Sequence, residues 1–231
     1  MRHLSRCISI QSTNIPAWTA QHRSHFPAAS AESNGEGKIV LGLGQLFRGS
    51  PDKQAGRRLY AAAVAQAREP GFYAGCGVPD TPTGRFDLIV LHGFLLMQRL
   101  KSDTEGRSLA QSFCNAVVED VDRNLREMGI GDLSVGKKVK KLMEGFYGRL
   151  GAYEEALQGV GEASLETVLQ RNIYGNTPPA AAQLDAVAAY VRREAARLPG
   201  QSMASLRGGE AGFGPAPVPE GAPAETGRST P

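Results

Sequence analysis

Residues 84–101 read GRFDLIVLHGFLLMQRLK, an apolar segment on which the rest of the fold depends. At about 100° per residue, its leucines point to several sides of a helix. A helix that is hydrophobic all round is buried among its neighbours. We therefore expect a helix over residues 84–101 at the centre of the core.

The segments on both sides repeat apolar residues every three or four positions, which predicts further helices packed around the first. These cover about residues 53–68, 105–128, 134–157, 165–173 and 180–198. The clearest stripe is in the segment that Ser134 would cap: Val135, Val139, Leu142, Phe146, Leu150, Tyr153 and Leu157. Because no segment alternates like a β-strand, we predict an all-α fold with a single compact multi-helix domain.

The two ends of the chain differ from this middle part. Residues 1–38 contain Arg2, Arg6 and Arg23 but no acid before Glu32, which resembles an organelle targeting sequence; a disordered extension or a misassigned start codon explains the pattern equally well. From residue 200 onward, Gly and Pro make up 12 of 32 residues, and apolar side chains are few. Burying so few apolar groups cannot offset the entropy that is lost on ordering the chain. We predict three regions: a disordered or targeting-like extension (1–50), a helical domain (51–199) and a disordered tail (200–231).

Composition excludes several classes of protein. The net charge is +3, and residues 52–200 contain 19 basic and 18 acidic residues, which argues against a DNA-binding protein that covers many phosphates. The longest apolar run, Leu88 to Met97, is about half the length of a membrane span. Cys7, Cys76 and Cys114 are odd in number and lack metal-ligand spacing, which favours a reducing compartment such as the cytoplasm.

Residues that could perform catalysis are scarce. His92 is the one histidine of the helical region and lies in its most apolar helix, so we interpret it as a structural residue. The acids Glu119, Asp120 and Asp122 precede Arg123 and Arg126, and acid-first pairs four residues apart are typical of a salt-bridged helix surface. We assign no metal and no cofactor. A helical-bundle metal or redox enzyme that uses Asp120, Asp122 and His92 remains the alternative.

A cluster of four lysines is the strongest electrostatic feature. Lys137, Lys140 and Lys141 lie opposite the apolar stripe of their predicted helix, and Lys138 lies beside them. Such a cluster can contact ribosomal RNA or anionic lipid, or it can be a solvated face. It supports a second alternative function, that of a ribosome or membrane-surface docking protein.

Several short motifs occur in order along residues 59–156. They read FY at 72–73, GVPDT at 77–81, GRFDL at 84–88, DVD at 120–122, LREMG at 125–129, SVGK at 134–137 and FYGR at 146–149. This combination resembles the ubiquinol-cytochrome c chaperone family. The resemblance implies a non-enzymatic assembly factor for the cytochrome bc complex, respiratory complex III, that binds newly made cytochrome b.

The resemblance also implies partners and a location. Mitochondrial members of the family act with a small partner protein at the ribosome, so we expect cytochrome b or another cytochrome bc subunit as a partner, with a ribosome and a small partner protein as further candidates. We expect a cytoplasmic protein with peripheral contact to the inner membrane; the matrix side of the mitochondrial inner membrane is the alternative.

The motifs also suggest a client-binding surface. We predict that it consists of Phe72, Tyr73, Val78, Asp80, Arg85 and Phe86, beside an apolar groove that shields a transmembrane segment. Arg85 and Asp87 would hold the loop of residues 78–81 by charge-assisted hydrogen bonds. For Gly77, Pro79 and Gly84, turn geometry is the preferred explanation.

Overall fold

The computed structural model describes residues 51–219, which form seven α-helices and no strand. The helices are α1 (Pro51–Ala67), α2 (Pro82–Lys101), α3 (Gly106–Glu127), α4 (Asp132–Gln158), α5 (Leu165–Leu169), α6 (Ala181–Arg197) and α7 (Met203–Gly208). Single π-helical turns occupy Gly71–Gly75 and Gln170–Tyr174, and a 3₁₀ turn occupies Leu198–Gly200. The predicted all-α class is confirmed for this part of the chain.

Helix α2 is the centre of the core, as predicted. It contacts α1, α3, α4 and α6 as well as the second π turn and the 3₁₀ turn. Every residue from Val90 to Met97 is buried. The helix begins two residues earlier than predicted, because the Thr81 hydroxyl caps it by accepting a hydrogen bond from the Gly84 amide at 3.1 Å and Pro82 occupies the first turn.

Helices α1 and α3 form the most extensive pair. The pair is close because Gly56 has no side chain: a Cβ there would lie 2.5 Å from the backbone of Ser112. Glu119 of α3 accepts hydrogen bonds from Arg57 of α1 at 2.8 and 3.1 Å, so its predicted pairing with Arg123 is wrong. The predicted pair of Asp122 and Arg126 is present at 2.7 Å.

Helix α4 begins at Asp132, so the prediction that Ser134 caps it is wrong. Gly131 holds the cap position and offers no side-chain bond. The predicted stripe is buried in the second half of the helix, at Phe146, Leu150 and Tyr153. In the first half the stripe is incomplete, since Leu142 is 37% exposed and Met143 is buried.

The predicted disordered tail is wrong for residues 201–219. Ser202 caps α7 through the Ser205 amide, and residues 209–219 then run back over the helices as a segment we call the strap. Its backbone carbonyls accept hydrogen bonds from Gln66 of α1 and Arg193 of α6 at 2.8 and 2.6 Å. Composition could not reveal this order, because the hydrogen bonds that hold the strap use its backbone carbonyls and not its side chains.

No helix within residues 51–219 is both long enough and apolar enough to cross a membrane. Cys76 and Cys114 are buried free thiols. The predicted extension at residues 1–50, with Cys7, and the last part of the predicted tail at residues 220–231 lie outside the described residues.

Candidate functional site

The segment between α1 and α2 contains most of the residues predicted to bind a client. Its first half is the π turn, in which Phe72 is fully buried. The Phe72 ring packs edge-on against His92 and Tyr190, with centroids 5.3 and 5.1 Å apart. Edge-to-face packing of this kind fixes the position of a ring in the core. Phe72 therefore anchors the segment.

The second half of the segment is held from both sides. The Cys76 carbonyl accepts a hydrogen bond from the Tyr174 hydroxyl at 2.9 Å, and the Gly75 carbonyl accepts one from Gln183 at 3.2 Å. Gly77 has a φ of +67°, which is costly for residues with a side chain. Turn geometry thus explains Gly77, as expected, and the segment has one defined path across the surface.

Gly84 is needed where α2 leaves this segment. A Cβ on Gly84 would lie 2.1 Å from the Pro79 carbonyl oxygen, closer than van der Waals contact allows.

An ion pair closes the loop before α2. The Asp80 carboxylate accepts a hydrogen bond from the Arg85 guanidinium at 2.6 Å. This bond lowers the pKa of Asp80. The prediction that Arg85 holds the loop is confirmed.

A groove opens beside this ion pair. It has a volume of about 520 Å³ and is lined by Arg68, Pro70, Tyr73, Ala74, Asp80 and Arg85. The Tyr73 hydroxyl donates a hydrogen bond to the Ala67 carbonyl at 2.6 Å, which holds the ring at the groove wall. With three charged side chains among six, the groove is not the predicted apolar one.

The six predicted client-binding residues separate into two groups. Phe72 and Val78 are 0% and 3% exposed, so they belong to the core and form no surface in this structure. Tyr73 and Phe86 are half-buried, and Asp80 and Arg85 are exposed. A client-binding role for these four stays a prediction.

Asp87 does not hold the loop, contrary to the prediction. Its side chain is buried and lies 3.1 Å from the Arg149 guanidinium of α4. The Asp87 oxygen nearest Arg149 accepts no well-directed hydrogen bond within the described part of the chain. Burial therefore outweighs the attraction of Arg149 and raises the pKa of Asp87 to about 6. The pair links α2 to α4 inside the core.

His92 has the structural role that its position predicts. Its ring is fully buried between the Leu88 carbonyl and the Tyr190 hydroxyl, at 2.7 and 2.9 Å. Burial lowers the pKa of His92 to about 4, so the ring is neutral at physiological pH. A neutral, doubly hydrogen-bonded ring is suited to a core position.

The acids of the alternative metal site have other partners. Asp120 accepts a hydrogen bond from the Tyr60 hydroxyl at 2.7 Å, and Asp122 is paired with Arg126. Among residues 51–219, no three His, Cys, Asp or Glu side chains are placed to hold a metal ion. The structure does not bring His92, Asp120 and Asp122 together as one site.

The four predicted lysines all lie on the first half of α4 and are all exposed. All six residues that line the groove lie between residues 68 and 85, so no residue belongs to both predicted surfaces. Their function stays a prediction at this point.

Sequence reasoning missed two kinds of residue. Arg68 and Ala74 line the groove, but neither belongs to a motif, and only the path of the π turn brings them to it. Phe213 of the strap packs against His92 with ring centroids 5.0 Å apart. A lone phenylalanine in a Gly/Pro-rich stretch was the available signal for this contact.

Comparison with protein families and solved structures adds to this description. A family model described as "Ubiquinol-cytochrome C chaperone" matches residues 74–213. The chain is also similar to the Cbp3 homolog from Brucella abortus, whose crystal structure is known. The identity is 37% and the TM-score 0.64, over 74% of this chain and 96% of that one.

Three vertebrate proteins named ubiquinol-cytochrome-c reductase complex assembly factor 1 are more distant relatives. The Xenopus laevis protein is 24% identical over 62% of this chain and 71% of its own length. The Mus musculus protein is 27% identical over 81% of this chain and 69% of its own length. The Homo sapiens protein is 27% identical over 62% of this chain and 48% of its own length.

Proposed function

The chain belongs to the ubiquinol-cytochrome c chaperone family, and from this premise we propose that it helps assemble the ubiquinol-cytochrome c reductase complex by binding newly made cytochrome b. The observation that carries the proposal is the family match over residues 74–213, which includes Ala74, Asp80 and Arg85 of the groove. Proteins of this family are chaperones and assembly factors, not enzymes.

The groove beside Tyr73 is the client-binding surface in this proposal. A rigid wall favours binding, because little side-chain entropy is lost on contact. Here the π turn, the Tyr73 hydroxyl bond and the ion pair of Asp80 and Arg85 hold the wall in place.

The charges of the groove indicate which part of a membrane protein would fit it. Arg68 and Arg85 outnumber Asp80, so the lining has a net positive charge. Covering these charges with the apolar middle of a transmembrane helix would leave them desolvated and unpaired, which is costly. We therefore place a loop or a helix end of cytochrome b in the groove, with an acidic group near the two arginines.

Site-specific photo-crosslinking tests this placement. Ala74 is exposed and lines the groove, so a photoreactive residue at position 74 should crosslink to cytochrome b during its synthesis. Gln111 of α3 is also exposed and lies in a different element, which makes it the matched control position. Crosslinks from 74 should decrease in an Arg68→Glu variant, which reverses one charge of the groove and leaves the ion pair of Asp80 and Arg85 in place.

Two results would count against the placement. Equal crosslinking from positions 74 and 111 would show random proximity. Crosslinking from 74 that is unchanged by Arg68→Glu would show that the positive charge of the groove does not contribute to client binding.

A further inference from the structure

The turn between α3 and α4 exposes apolar side chains that the rest of the described chain does not cover. Met128 of the turn is 75% exposed, and Leu133 at the start of α4 is 97% exposed. Within residues 51–219 they are two of five large exposed hydrophobic side chains. Clustered exposed apolar side chains mark an interaction surface more often than scattered ones do.

Glycines in the same region lie in open space. A Cβ built on Gly129, Gly131 or Gly136 meets no atom within 4 Å. The end of α3 and the first turns of α4 therefore lie at the surface of the described chain, with Val135 packed inward. We call this region, Met128 to Lys141, the tip.

Positive charge accompanies the apolar side chains of the tip. From Leu133 to Met143 the sequence contains Lys137, Lys138, Lys140 and Lys141 and no acid. All four lysines are exposed, and none forms an ion pair with an acid between residues 51 and 219. By contrast, Lys101 of α2 pairs with Glu154.

Helix geometry places apolar and basic groups on one face. At about 100° per residue, Leu133, Lys137 and Lys140 fall within roughly 60° of one another around α4, with Lys141 about 40° and Lys138 about 100° further. Of the acids that bracket the stretch, Asp132 is paired with Arg126, and Glu144 follows Lys140 by four residues and Lys141 by three, within reach of both. One such acid beside four lysines leaves the region with a net positive charge.

We propose that the tip docks onto the surface of an anionic lipid bilayer, with Leu133 and Met128 entering the headgroup region and the four lysines contacting lipid phosphates. Basic residues beside a few apolar ones are typical of segments that lie in a membrane interface, and lysines can reach the headgroups with their stems along apolar surface. Nucleic-acid phosphates would also attract the lysines, but they give no reason for a Leu133 that is 97% exposed.

This proposal extends the proposed function without depending on it. Docking would hold the groove near a bilayer where a membrane-embedded client emerges. Lipid binding, however, is measured on the purified full chain without cytochrome b. A failure to bind vesicles and a failure to support complex assembly are therefore separate results.

Vesicle flotation is the test. The full chain should float with vesicles of equal parts phosphatidylcholine and phosphatidylglycerol, should not float with phosphatidylcholine alone, and should be released by salt. Each lysine removed should weaken partitioning about fivefold. The affinity for these vesicles should therefore be at least about 100-fold lower in the Lys137→Gln/Lys138→Gln/Lys140→Gln/Lys141→Gln variant.

Two control variants make the test specific. Leu133→Ser keeps every charge and removes no buried group, so weaker flotation by this variant would report insertion into the bilayer. A variant with Arg107, Arg171, Arg192 and Arg207 changed to Gln removes the same charge from other exposed positions and should float like wild type.

Three outcomes would overturn the proposal. The first is the absence of flotation with anionic vesicles. The second is an equal loss in the arginine control, which would indicate only a dependence on net charge. The third is salt-sensitive binding to ribosomal RNA that displaces the vesicles and is unaffected by Leu133→Ser, which would identify RNA as the partner of the lysines.

Discussion

Asp87 shows how a single residue of a recognisable motif can serve the core. The sequence places it one position after Phe86, and a role in holding the neighbouring loop was the natural expectation. In the structure it faces Arg149 of α4 instead. A contact 62 positions away along the chain cannot be read from local spacing, because only the packing of α2 against α4 brings the two side chains together.

The raised pKa of Asp87 predicts a dependence of stability on pH. Its folded pKa of about 6 lies above the ordinary value of 3.8, so the folded chain binds the proton more tightly than the unfolded chain. This stabilisation is complete below about pH 3.8 and is lost as the pH rises through 6. Its size is about 3 kcal/mol.

Urea unfolding of wild type and Asp87→Asn between pH 4 and 7.5 measures this contribution. The free energy of unfolding of the variant should fall less with rising pH, since asparagine does not titrate. The comparison with the variant is necessary because other acids, such as Glu194 with its lowered pKa, shift stability in the opposite direction. Parallel curves for the two proteins would show that Asp87 titrates normally.

Phe72 and Tyr73 illustrate what sequence can and cannot determine about the site. Both are aromatic residues in a segment between helices, and the sequence does not distinguish them. The π turn directs Phe72 into the core and Tyr73 toward the groove. A π turn adds one residue to the helical repeat, so the 3.6-residue periodicity that identified the long helices gives no guide here.

Helix positions were predicted better than helix ends. The apolar period identified α1 to α4, α6 and the helical segment that α5 forms with the π turn after it. Burial of one face is what stabilises each of them. The start of α4 was predicted incorrectly, since Gly131 caps it without a side-chain bond. Short α7 was not predicted, because it is fixed by its packing on α1 and not by its own pattern.

Two helical glycines should respond to alanine in opposite ways. At Gly56 a Cβ would lie 2.5 Å from the α3 backbone, so Gly56→Ala should destabilise the fold by about 2 kcal/mol despite its better helix propensity. At Gly136 the Cβ meets nothing, so Gly136→Ala should stabilise it by up to about 1 kcal/mol. Thermal unfolding of the two variants makes the comparison. Stabilisation by Gly56→Ala would mean that α1 and α3 are not as close as described.

The strap should contribute to stability as part of the domain. A chain ending at Gly208 loses the hydrogen bonds to Gln66 and Arg193 and uncovers His92 beneath Phe213. We expect it to be roughly 3 kcal/mol less stable than the full chain. Urea unfolding of the truncated and the full chain tests this. Equal stability of both would agree with the disorder that composition suggested.

The described chain as a whole is a helical body with two distinct surfaces that share no residue. The groove beside Tyr73 is rigid and carries mixed charge, and the tip carries lysines and exposed apolar side chains. The class of the fold and the family followed from the sequence, since helical periodicity and ordered motifs are local properties. The shape of the groove and the exposure of Met128 and Leu133 did not, since both depend on which side chains remain uncovered after packing.

Deletion of the gene, followed by measurement of assembled ubiquinol-cytochrome c reductase and of cytochrome b in membranes, distinguishes an assembly chaperone from a protein with no part in the complex. We expect both quantities to decrease while the cytochrome b message is unchanged. The wild-type chain should restore them, and Arg68→Glu, which leaves the ion pair of Asp80 and Arg85 in place, should restore less. Normal levels of the complex and of cytochrome b in the deletion strain would show that the chain has no role in assembly.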